Sequence, residues 1–219
     1  MIIPAVIPKS LEDVFAVAKR VKSFSRELQI DVVDGIFVEN ISWPYGSDAM
    51  MGNPNDIRSL AGMFSMEIDL MIHDPLREIP RWITAGAKRL VIHIESCFDV
   101  EEARRLADDA GVLLGIAASA DTPCDLFLSA LEYAHYAQCM GIRHIGVQGE
   151  PFDTSVLARI ARIKETFPKM IISVDGSVNK ETISLLSTAG ATRFIAGSAL
   201  LGSSDAEAAF IELRSLVHK

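Results

Sequence analysis

The stretch Ile2-Ile-Pro-Ala-Val-Ile-Pro-Lys-Ser-Leu-Glu-Asp-Val-Phe15 gives the clearest indication of the fold class. Its first half is a continuous apolar run, which is typical of a strand buried on both faces of a parallel sheet. Its second half begins a helix at Ser10, with Asp13 three residues later as the second member of a capping box. No GxGxxG sequence joins the two halves, so the dinucleotide-binding fingerprint of an open doubly wound sheet is missing. The stretch therefore predicts the first unit of a βα repeat.

The same alternation of apolar runs and amphipathic stretches continues along the chain. Strands are predicted at Ile2–Ile7, Leu28–Val33, Met66–Ile72, Leu90–Ile94, Val112–Ala117, Tyr136–Ile142, Met170–Val174 and Phe194–Ala196. Helices are predicted after Ser10, after Asn53, and at Asp74–Gly86, Asp99–Ala110, Asp125–Glu132, Ser155–Phe167, Asn179–Ala189 and Asp205–Val217. Eight strands followed by helical sequence favour a single-domain (β/α)8 TIM barrel of the α/β class, spanning residues 1–219, over an open doubly wound sheet.

Composition and charge bound the class of protein. The chain has 219 residues, of which 49% are hydrophobic and 23% charged, so it can bury one core and is not disordered. The formal net charge of −8 argues against nucleic acid as a partner, because phosphate backbones repel an acidic surface. No apolar run reaches about 18 residues, which argues against a membrane span. The cysteines Cys97, Cys124 and Cys139 lack CxxC spacing and predict a reducing, cytoplasmic location.

Three aspartates interrupt apolar strands and are the strongest candidates for chemistry. Asp31, Asp69 and Asp175 belong to the second, third and seventh strands, where an unpaired carboxylate is costly. If all three face the barrel interior, they meet across its mouth, and a metal ion or a shared proton relieves their repulsion. Carboxylates on two walls also suit a two-base reaction, in which one removes a proton from carbon and the other returns a proton to the opposite face.

Other polar residues near strand ends have structural interpretations. Asp34 and Asp74 suit helix caps or loop anchors, because aspartate commonly binds backbone N–H groups at such positions. His93 lies inside an apolar run, which is typical of a hydrogen-bonded core histidine. Under these interpretations Asp34, Asp74 and His93 contribute to the fold alone, and the three strand aspartates remain the candidates for a site.

A second cluster of small residues points to an anion. Asp175–Asn179 follows the seventh strand and Ala196–Gly202 follows the eighth, which is where barrels often bind phosphate. Small residues let backbone N–H groups approach an anion, so an acidic protein can bind phosphate without a basic surface. Gly146–Gly149 follows the sixth strand and is placed to close over the ligand. The predicted phosphate-binding residues are Gly146, Gly149, Gly176, Ser177, Gly197 and Ser198.

From Ile3 to Gly202 the chain resembles the ribulose-phosphate 3-epimerase family. The resemblance is carried by Ile30-Asp-Val-Val-Asp-Gly-Ile-Phe-Val-Glu-Asn40, Asp69-Leu-Met-Ile-His-Asp-Pro75, Val91-Ile-His-Ile-Glu95, Gly115-Ile-Ala with Thr122-Pro123, Val174-Asp-Gly with Val178-Asn179, and Ala196-Gly-Ser-Ala199. It implies a ribulose-phosphate-binding barrel that interconverts D-ribulose 5-phosphate and D-xylulose 5-phosphate. In that family two aspartates exchange the C3 proton across a divalent metal, which polarises the ketone.

Carried over residue by residue, the resemblance assigns the catalytic acid–base pair to Asp31 and Asp175. Two histidine ligands of the family are replaced here, by Gln29 and by Asp69. The implied metal site then consists of Gln29, Asp31, Asp69 and Asp175, all of them oxygen donors. The implied substrate pocket contains Ala5, where the family has a serine, together with Met71, His93 and Met140.

The resemblance also implies a cofactor and partners. The cofactor is a divalent metal, and the choice among Mg, Mn, Zn and Fe stays open, since imidazole ligands suit Zn and Fe whereas oxygen donors suit Mg and Mn. The partner is a small phosphorylated sugar, and the family implies a homodimer or a larger homo-oligomer. Two alternatives to an epimerase remain. One is a sugar-phosphate lyase or decarboxylase of the same superfamily, which Asp69 favours and Glu67, in place of a lysine, disfavours; the other is a non-catalytic phosphate-metabolite-binding homologue.

Overall fold

The apolar runs form the strands of one closed sheet. In the computed structural model, which describes residues 1–46, 52–96, 98–147 and 149–217, eight parallel strands pair in chain order and the last pairs with the first. The strands are β1 (Ile2–Val6), β2 (Glu27–Val33), β3 (Ser65–Met71), β4 (Arg89–His93), β5 (Leu113–Ala118), β6 (Tyr136–Met140), β7 (Ile171–Asp175) and β8 (Arg193–Ala196). Cys97, and Gln148 of the predicted loop Gly146–Gly149, lie outside the described residues.

Helices cover the outside of this barrel. They are α1 (Leu11–Val21), α2 (Pro75–Thr84), α3 (Val100–Asp109), α4 (Cys124–Leu131), α5 (Ser155–Thr166), α6 (Ile183–Ala189), α7 (Ser198–Leu201) and α8 (Ala206–Ser215), with 3₁₀ helices at Pro54–Gly62 and Ile94–Ser96. Within the described ranges, no helix has the length and apolar character needed to cross a membrane. The single-domain (β/α)8 barrel predicted from the sequence is confirmed, and every strand ends within two residues of its predicted position.

Local signals account for most helix boundaries. The predicted capping box of α1 is present, because Ser10 Oγ accepts the Asp13 N–H and the Asp13 carboxylate accepts the Ser10 N–H. Asp74 occupies the N-cap of α2 without a side-chain capping hydrogen bond, and Pro75 begins that helix. The short helix α7 lies in a segment that was predicted only as a loop after the eighth strand. Its four residues are too few to show a helical period in the sequence.

The register of the sheet decides which side chains enter the barrel. Pairing of β2 with β3 places Gln29 beside Glu67 and Asp31 beside Asp69. Because side chains alternate along a strand, these four residues face the same side, while Ile30 and its partner on β3 face the helices and are fully buried. The main apolar core therefore lies between the sheet and the helices, and the barrel interior is left to polar groups.

Two glycines let the loops after β6 and β7 meet at the mouth. The Gly141 N–H donates to the Asp175 carbonyl at 2.7 Å, and a Cβ at residue 141 would lie only 2.4 Å from the Gly176 carbonyl oxygen. Gly176 has a φ of +95°, and a Cβ there would lie 2.6 Å from Cγ1 of Ile142. Both positions therefore require glycine, and the requirement keeps Asp175 and the loop that follows it close to the end of β6.

The lower interior of the barrel contains a buried ion pair. Glu67 on β3 and Arg193 on β8 form a direct salt bridge, and both side chains are almost completely inaccessible to water. Tyr136 Oη donates to Glu67 Oε2 at 2.9 Å, and Arg193 Nε donates to Ser173 Oγ at 2.9 Å. Burial raises the pKa of Glu67, although Arg193 and the Tyr136 hydroxyl oppose that rise. A buried pair of opposite charges therefore fills the barrel interior at the level of Glu67 and Arg193.

We expect Arg193→Met to lower the free energy of unfolding by about 3–5 kcal/mol, because it leaves the Glu67 carboxylate buried without its counter-charge. The double variant Glu67→Leu/Arg193→Met is the matched control, since it removes both charges and should recover most of the loss. Urea unfolding followed by circular dichroism measures both. A single variant as stable as the wild type would contradict this account of the lower layer.

Candidate active site

The three strand aspartates converge at the C-terminal mouth of the barrel. Asp31, Asp69 and Asp175 each offer a carboxylate oxygen, and these atoms all lie within 4.8 Å of one another. Asp69 is fully buried, Asp31 is nearly so, and Asp175 is partly exposed at the end of β7. The structure thus brings together residues from β2, β3 and β7 that are up to 144 positions apart in the chain (31 to 175).

Gln29 joins two of these carboxylates. Its Nε2 donates to Asp31 Oδ1 at 2.8 Å and to Asp175 Oδ2 at 2.7 Å. Its Oε1 is buried and has no hydrogen-bond donor among the described residues. The amide therefore fixes the relative position of the two aspartates and retains one unused oxygen.

A separate pair of side chains holds Asp69. Gln138 Nε2 donates to Asp69 Oδ2 at 2.7 Å, and His93 Nε2 lies 3.2 Å from Asp69 Oδ1. All three side chains are fully buried. Gln138 was not identified from the sequence as a site residue, although one signal was present. Tyr136, Gln138 and Met140 occupy alternate positions of β6 and so point to the same side, which places a polar side chain in the barrel interior.

His93 lies below the mouth rather than on its wall. Its ring contacts Asp69 on one side, while Nδ1 lies 3.9 Å from Glu95 Oε2 on the other. Burial alone lowers the pKa of His93, but Asp69 and Glu95 outweigh burial and raise the pKa above its ordinary value. This geometry agrees with the expectation that His93 is a core histidine with polar neighbours. A role for His93 in the substrate pocket remains a prediction.

Burial and mutual repulsion raise the pKa values of the candidate acid–base pair. For Asp175, removal from bulk water is the largest cause and the charge of Asp69 the next, and together they raise the pKa to about 7. For Asp31, burial is again the largest cause, followed by the charges of Asp175 and Asp69, and the pKa lies well above its usual range. Near neutral pH the pair therefore retains protons that isolated aspartates would have lost.

A narrow cavity that opens to solvent lies above this cluster. Most of the predicted site residues line it: Ala5, Asp31, Met71, Met140, Gly146, Gly149, Asp175, Gly176, Ser177, Gly197 and Ser198. Gln29, Asp69 and His93 do not line the cavity and lie beneath it. No lysine, arginine or histidine is among the lining residues that the structure describes, so an anion there would depend on backbone N–H groups.

Three loops meet around the small-residue end of the cavity. Ser177 has a φ of +51°, and its hydroxyl donates to the Glu150 carbonyl, which ties the loop after β7 to the loop after β6. Asn40 Nδ2 donates to the Gly146 carbonyl at 2.7 Å and ties the loop after β2 to the same segment. Asp34 accepts the Ile36, Phe37 and His73 N–H groups, so its interpretation as a loop anchor is confirmed.

The chemistry of the cluster fits a divalent cation. Three carboxylates within 4.8 Å concentrate negative charge in a low-dielectric site, and a cation would relieve their repulsion. Gln29 adds a buried oxygen that lacks a donor. Gln29, Asp31, Asp69 and Asp175 offer oxygen ligands and no imidazole, and such a set matches the preference of Mg²⁺ and Mn²⁺.

The structure is a closed (β/α)8 barrel, and a carboxylate cluster and small-residue loops lie at its C-terminal mouth. These features place the protein in the class of TIM-barrel proteins with a polar site above the strands. Residues 2–201 match the model of the Ribulose-phosphate 3 epimerase family, and the chain belongs to that family.

Individual relatives agree with this assignment. The ribulose-phosphate 3-epimerase of Bacillus subtilis (strain 168) is 33% identical over 193 residues, which cover 85% of this chain and 85% of that protein. The enzyme of the same name from Aquifex aeolicus (strain VF5) is 30% identical over 194 residues, covering 87% and 84%. A crystal structure of 3-hexulose-6-phosphate synthase superimposes with a TM-score of 0.73 at 19% identity over 100% of both chains, which shows the shared fold.

We expect the chelator-treated protein to lose stability as the pH rises from about 4 to about 7. Asp175 titrates near 3.8 when unfolded and near 7 when folded, so between these values the native state binds more protons, and the free energy of unfolding falls with rising pH. Asp175→Asn removes one of the repelling charges and should raise the free energy of unfolding at pH 8 by about 1–3 kcal/mol.

Urea unfolding at pH 5 and pH 8 measures this effect. The matched control is Asp109→Asn, the same change on the exposed end of α3, where the side chain is 67% accessible. The control should keep the wild-type difference between the two pH values. If Asp175→Asn also kept it, Asp175 would not have the raised pKa described above.

Proposed function

We propose that this protein is a sugar-phosphate epimerase that exchanges the proton at C3 of a ketose phosphate, with Asp31 and Asp175 as its acid–base pair. The observation that carries the proposal is the placement of these two carboxylates. They come from β2 and β7, approach within 4.8 Å, and border the same cavity. Membership of the family supplies the reaction class, since its named relatives are ribulose-phosphate 3-epimerases.

The pair is suited to a proton transfer between two faces of a carbon. One carboxylate must be ionised to remove the C3 proton, and the other must be protonated to deliver one to the opposite face. The raised pKa values of Asp31 and Asp175 support this shared protonation near neutral pH. Gln29 donates to both carboxylates and joins the group that takes the C3 proton to the group that gives its own proton to the opposite face.

A divalent metal completes the proposal. Asp31, Asp69 and Asp175 would hold the ion, and Gln29 would join them through Oε1 once its amide turns its N–H₂ group away from the carboxylates. These oxygen ligands favour Mg²⁺ or Mn²⁺ over Zn²⁺ or Fe²⁺. When bound, the ion supplies Lewis-acid polarisation of the substrate carbonyl.

The other end of the cavity would bind the phosphate. Gly146, Gly149, Gly176, Ser177, Gly197 and Ser198 line that end and allow the backbone to approach an anion closely. Ala5, Met71 and Met140 line the rest of the cavity and would pack against the carbon chain of a small sugar. The substrate class is therefore a short phosphorylated ketose.

The proposal includes a cytoplasmic homo-oligomer, a homodimer or larger. Cys124 and Cys139 are free thiols, which agrees with a reducing compartment. Burial raises the pKa of the Cys139 thiol to about 12, so this residue serves as a small apolar side chain and not as a nucleophile. The assembly itself follows from the family resemblance.

A second candidate is a lyase or decarboxylase acting on a sugar phosphate. It is favoured by Asp69, an acidic residue at the inner face of β3. Glu67, two residues earlier, already binds Arg193 and Tyr136 in the lower layer and is therefore not available to Asp69. Turnover of hexulose 6-phosphate or a keto-gulonate phosphate would favour this candidate over the epimerase, and absence of all turnover would favour a non-catalytic binding protein.

The proposed function is tested by incubating D-ribulose 5-phosphate with the protein in deuterium oxide. NMR measures the rate at which deuterium replaces the C3 proton. The wild-type protein with Mg²⁺ or Mn²⁺ should exchange this proton, and Asp175→Asn should slow exchange by about 10²–10⁴-fold, because the pair loses one of its proton carriers. Asp109→Asn on the surface of α3 makes the same chemical change far from the cavity and should retain the wild-type rate.

The result that would contradict the proposal is equally specific. If the wild-type protein exchanges no C3 proton with Mg²⁺, Mn²⁺, Zn²⁺ or Fe²⁺, the assignment of Asp31 and Asp175 as an epimerase pair is wrong. Circular dichroism of the Asp175→Asn variant shows whether a loss of exchange reflects chemistry or unfolding.

A further inference from the structure

Asp69 contacts two buried side chains, and one of them reaches it across the barrel. Gln138 belongs to β6 and Asp69 to β3, so the 2.7 Å bond from Gln138 Nε2 to Asp69 Oδ2 spans the interior and not a neighbouring pair of strands. His93 on the adjacent strand β4 places Nε2 3.2 Å from the other oxygen, Oδ1. Asp69 Oδ2 therefore accepts a hydrogen bond from Gln138, while Oδ1 has only the close approach of the His93 ring, so the Gln138 bond is the directional contact that fixes the carboxylate.

The contacts of Gln138 and His93 with Asp69 are separate from the hydrogen bonds that join Asp31 and Asp175. Gln29 links Asp31 with Asp175 and makes no hydrogen bond to Asp69 among those that the structure describes. The Oε1 atom of Gln138 is buried without a donor, so the amide faces Asp69 by its N–H₂ group alone. A buried amide that leaves its own oxygen unsatisfied loses free energy, which its bond to a carboxylate offsets.

We propose that Gln138 is a positioning residue that, together with His93, holds Asp69 in the orientation required at the divalent-ion site. This inference rests on the proposed function, because it assumes that Asp69 is a ligand. Donors behind a ligating carboxylate fix its direction and keep it from turning away when the ion leaves, and their removal typically weakens metal binding by about 10–100-fold.

Mn²⁺ affinity measures the effect without reference to catalysis. The chelator-treated full-length protein is titrated with Mn²⁺, and free Mn²⁺ is followed by electron paramagnetic resonance. Gln138→Leu removes the donor and keeps a side chain of similar length, so we expect its Kd for Mn²⁺ to rise by about 10–100-fold. Ser173→Ala is the matched control, because Ser173 is also a buried polar residue of the interior but bonds to Arg193 and not to Asp69. Its Kd should stay within about 3-fold of the wild type.

A double-mutant cycle separates positioning from mere structural support. In an Asp69→Asn background the ligand is already impaired, so Gln138→Leu should change the Kd by less than about 3-fold, while its effect on the melting temperature persists. A purely structural Gln138 would lower the melting temperature in both backgrounds and leave the Mn²⁺ affinity unchanged. If Gln138→Leu does not fold, Gln138→Asn keeps the amide but draws it back by one methylene, and it should raise the Kd by about 10-fold.

The possible failures are distinguishable. A wild-type Kd in Gln138→Leu, or in Gln138→Asn where that variant is used, overturns the positioning role and leaves the proposed function intact. A wild-type protein that binds no Mn²⁺ overturns the metal site of the proposed function and this inference together. Loss of C3 proton exchange with normal Mn²⁺ binding and a normal double-mutant cycle overturns the epimerase assignment alone.

Discussion

The structure depends on one constraint: a carboxylate enclosed in a barrel must be matched by hydrogen-bond donors or by a cation. Parallel register sets acidic side chains of neighbouring strands beside each other, as for Asp31 and Asp69. The chain meets this constraint mainly with side-chain donors from inside the barrel, to which the Gly176 N–H adds one backbone donor for Asp175. These side-chain donors are Gln29 on β2, Gln138 on β6 and Arg193 on β8, and the ring of His93 on β4 lies 3.2 Å from Asp69.

The two polar layers of the interior satisfy the constraint to different degrees. In the lower layer Glu67 Oε2 contacts the positive charge of Arg193 and accepts a hydrogen bond from the Tyr136 hydroxyl, so this oxygen is fully partnered. In the upper layer Asp31 and Asp175 share the neutral amide of Gln29, Asp175 gains the Gly176 N–H as well, and the pKa values of both aspartates still stay raised. The incomplete match at the mouth keeps protons and negative charge available there, which is what acid–base chemistry or a cation requires.

The departures from the family pattern at the proposed metal site form a connected set. Gln29 and Asp69 stand where the family has histidines, and neither is isolated in the structure. One amide joins Asp31 to Asp175, and a second amide, from Gln138, reaches Asp69 across the barrel. Under the proposed function this exchange replaces nitrogen ligands by oxygen ligands and adds donors that orient them, so the site would favour harder cations.

Apolar runs and turn residues are local signals, so the sequence alone predicted the eight strands and their parallel barrel. It also singled out Asp31, Asp69 and Asp175, and the structure then showed that all three converge. The partner of each carboxylate, in contrast, depends on how the strands close into a barrel. Gln138 and Asp69 are 69 residues apart, and closing the sheet is what brings β6 opposite β3. The same closure placed His93 beneath the cavity instead of on its wall. The alternation of side chains along each strand predicts which residues face the barrel interior. Which of these residues contact each other depends on the register between strands, and that register is set by the whole sheet.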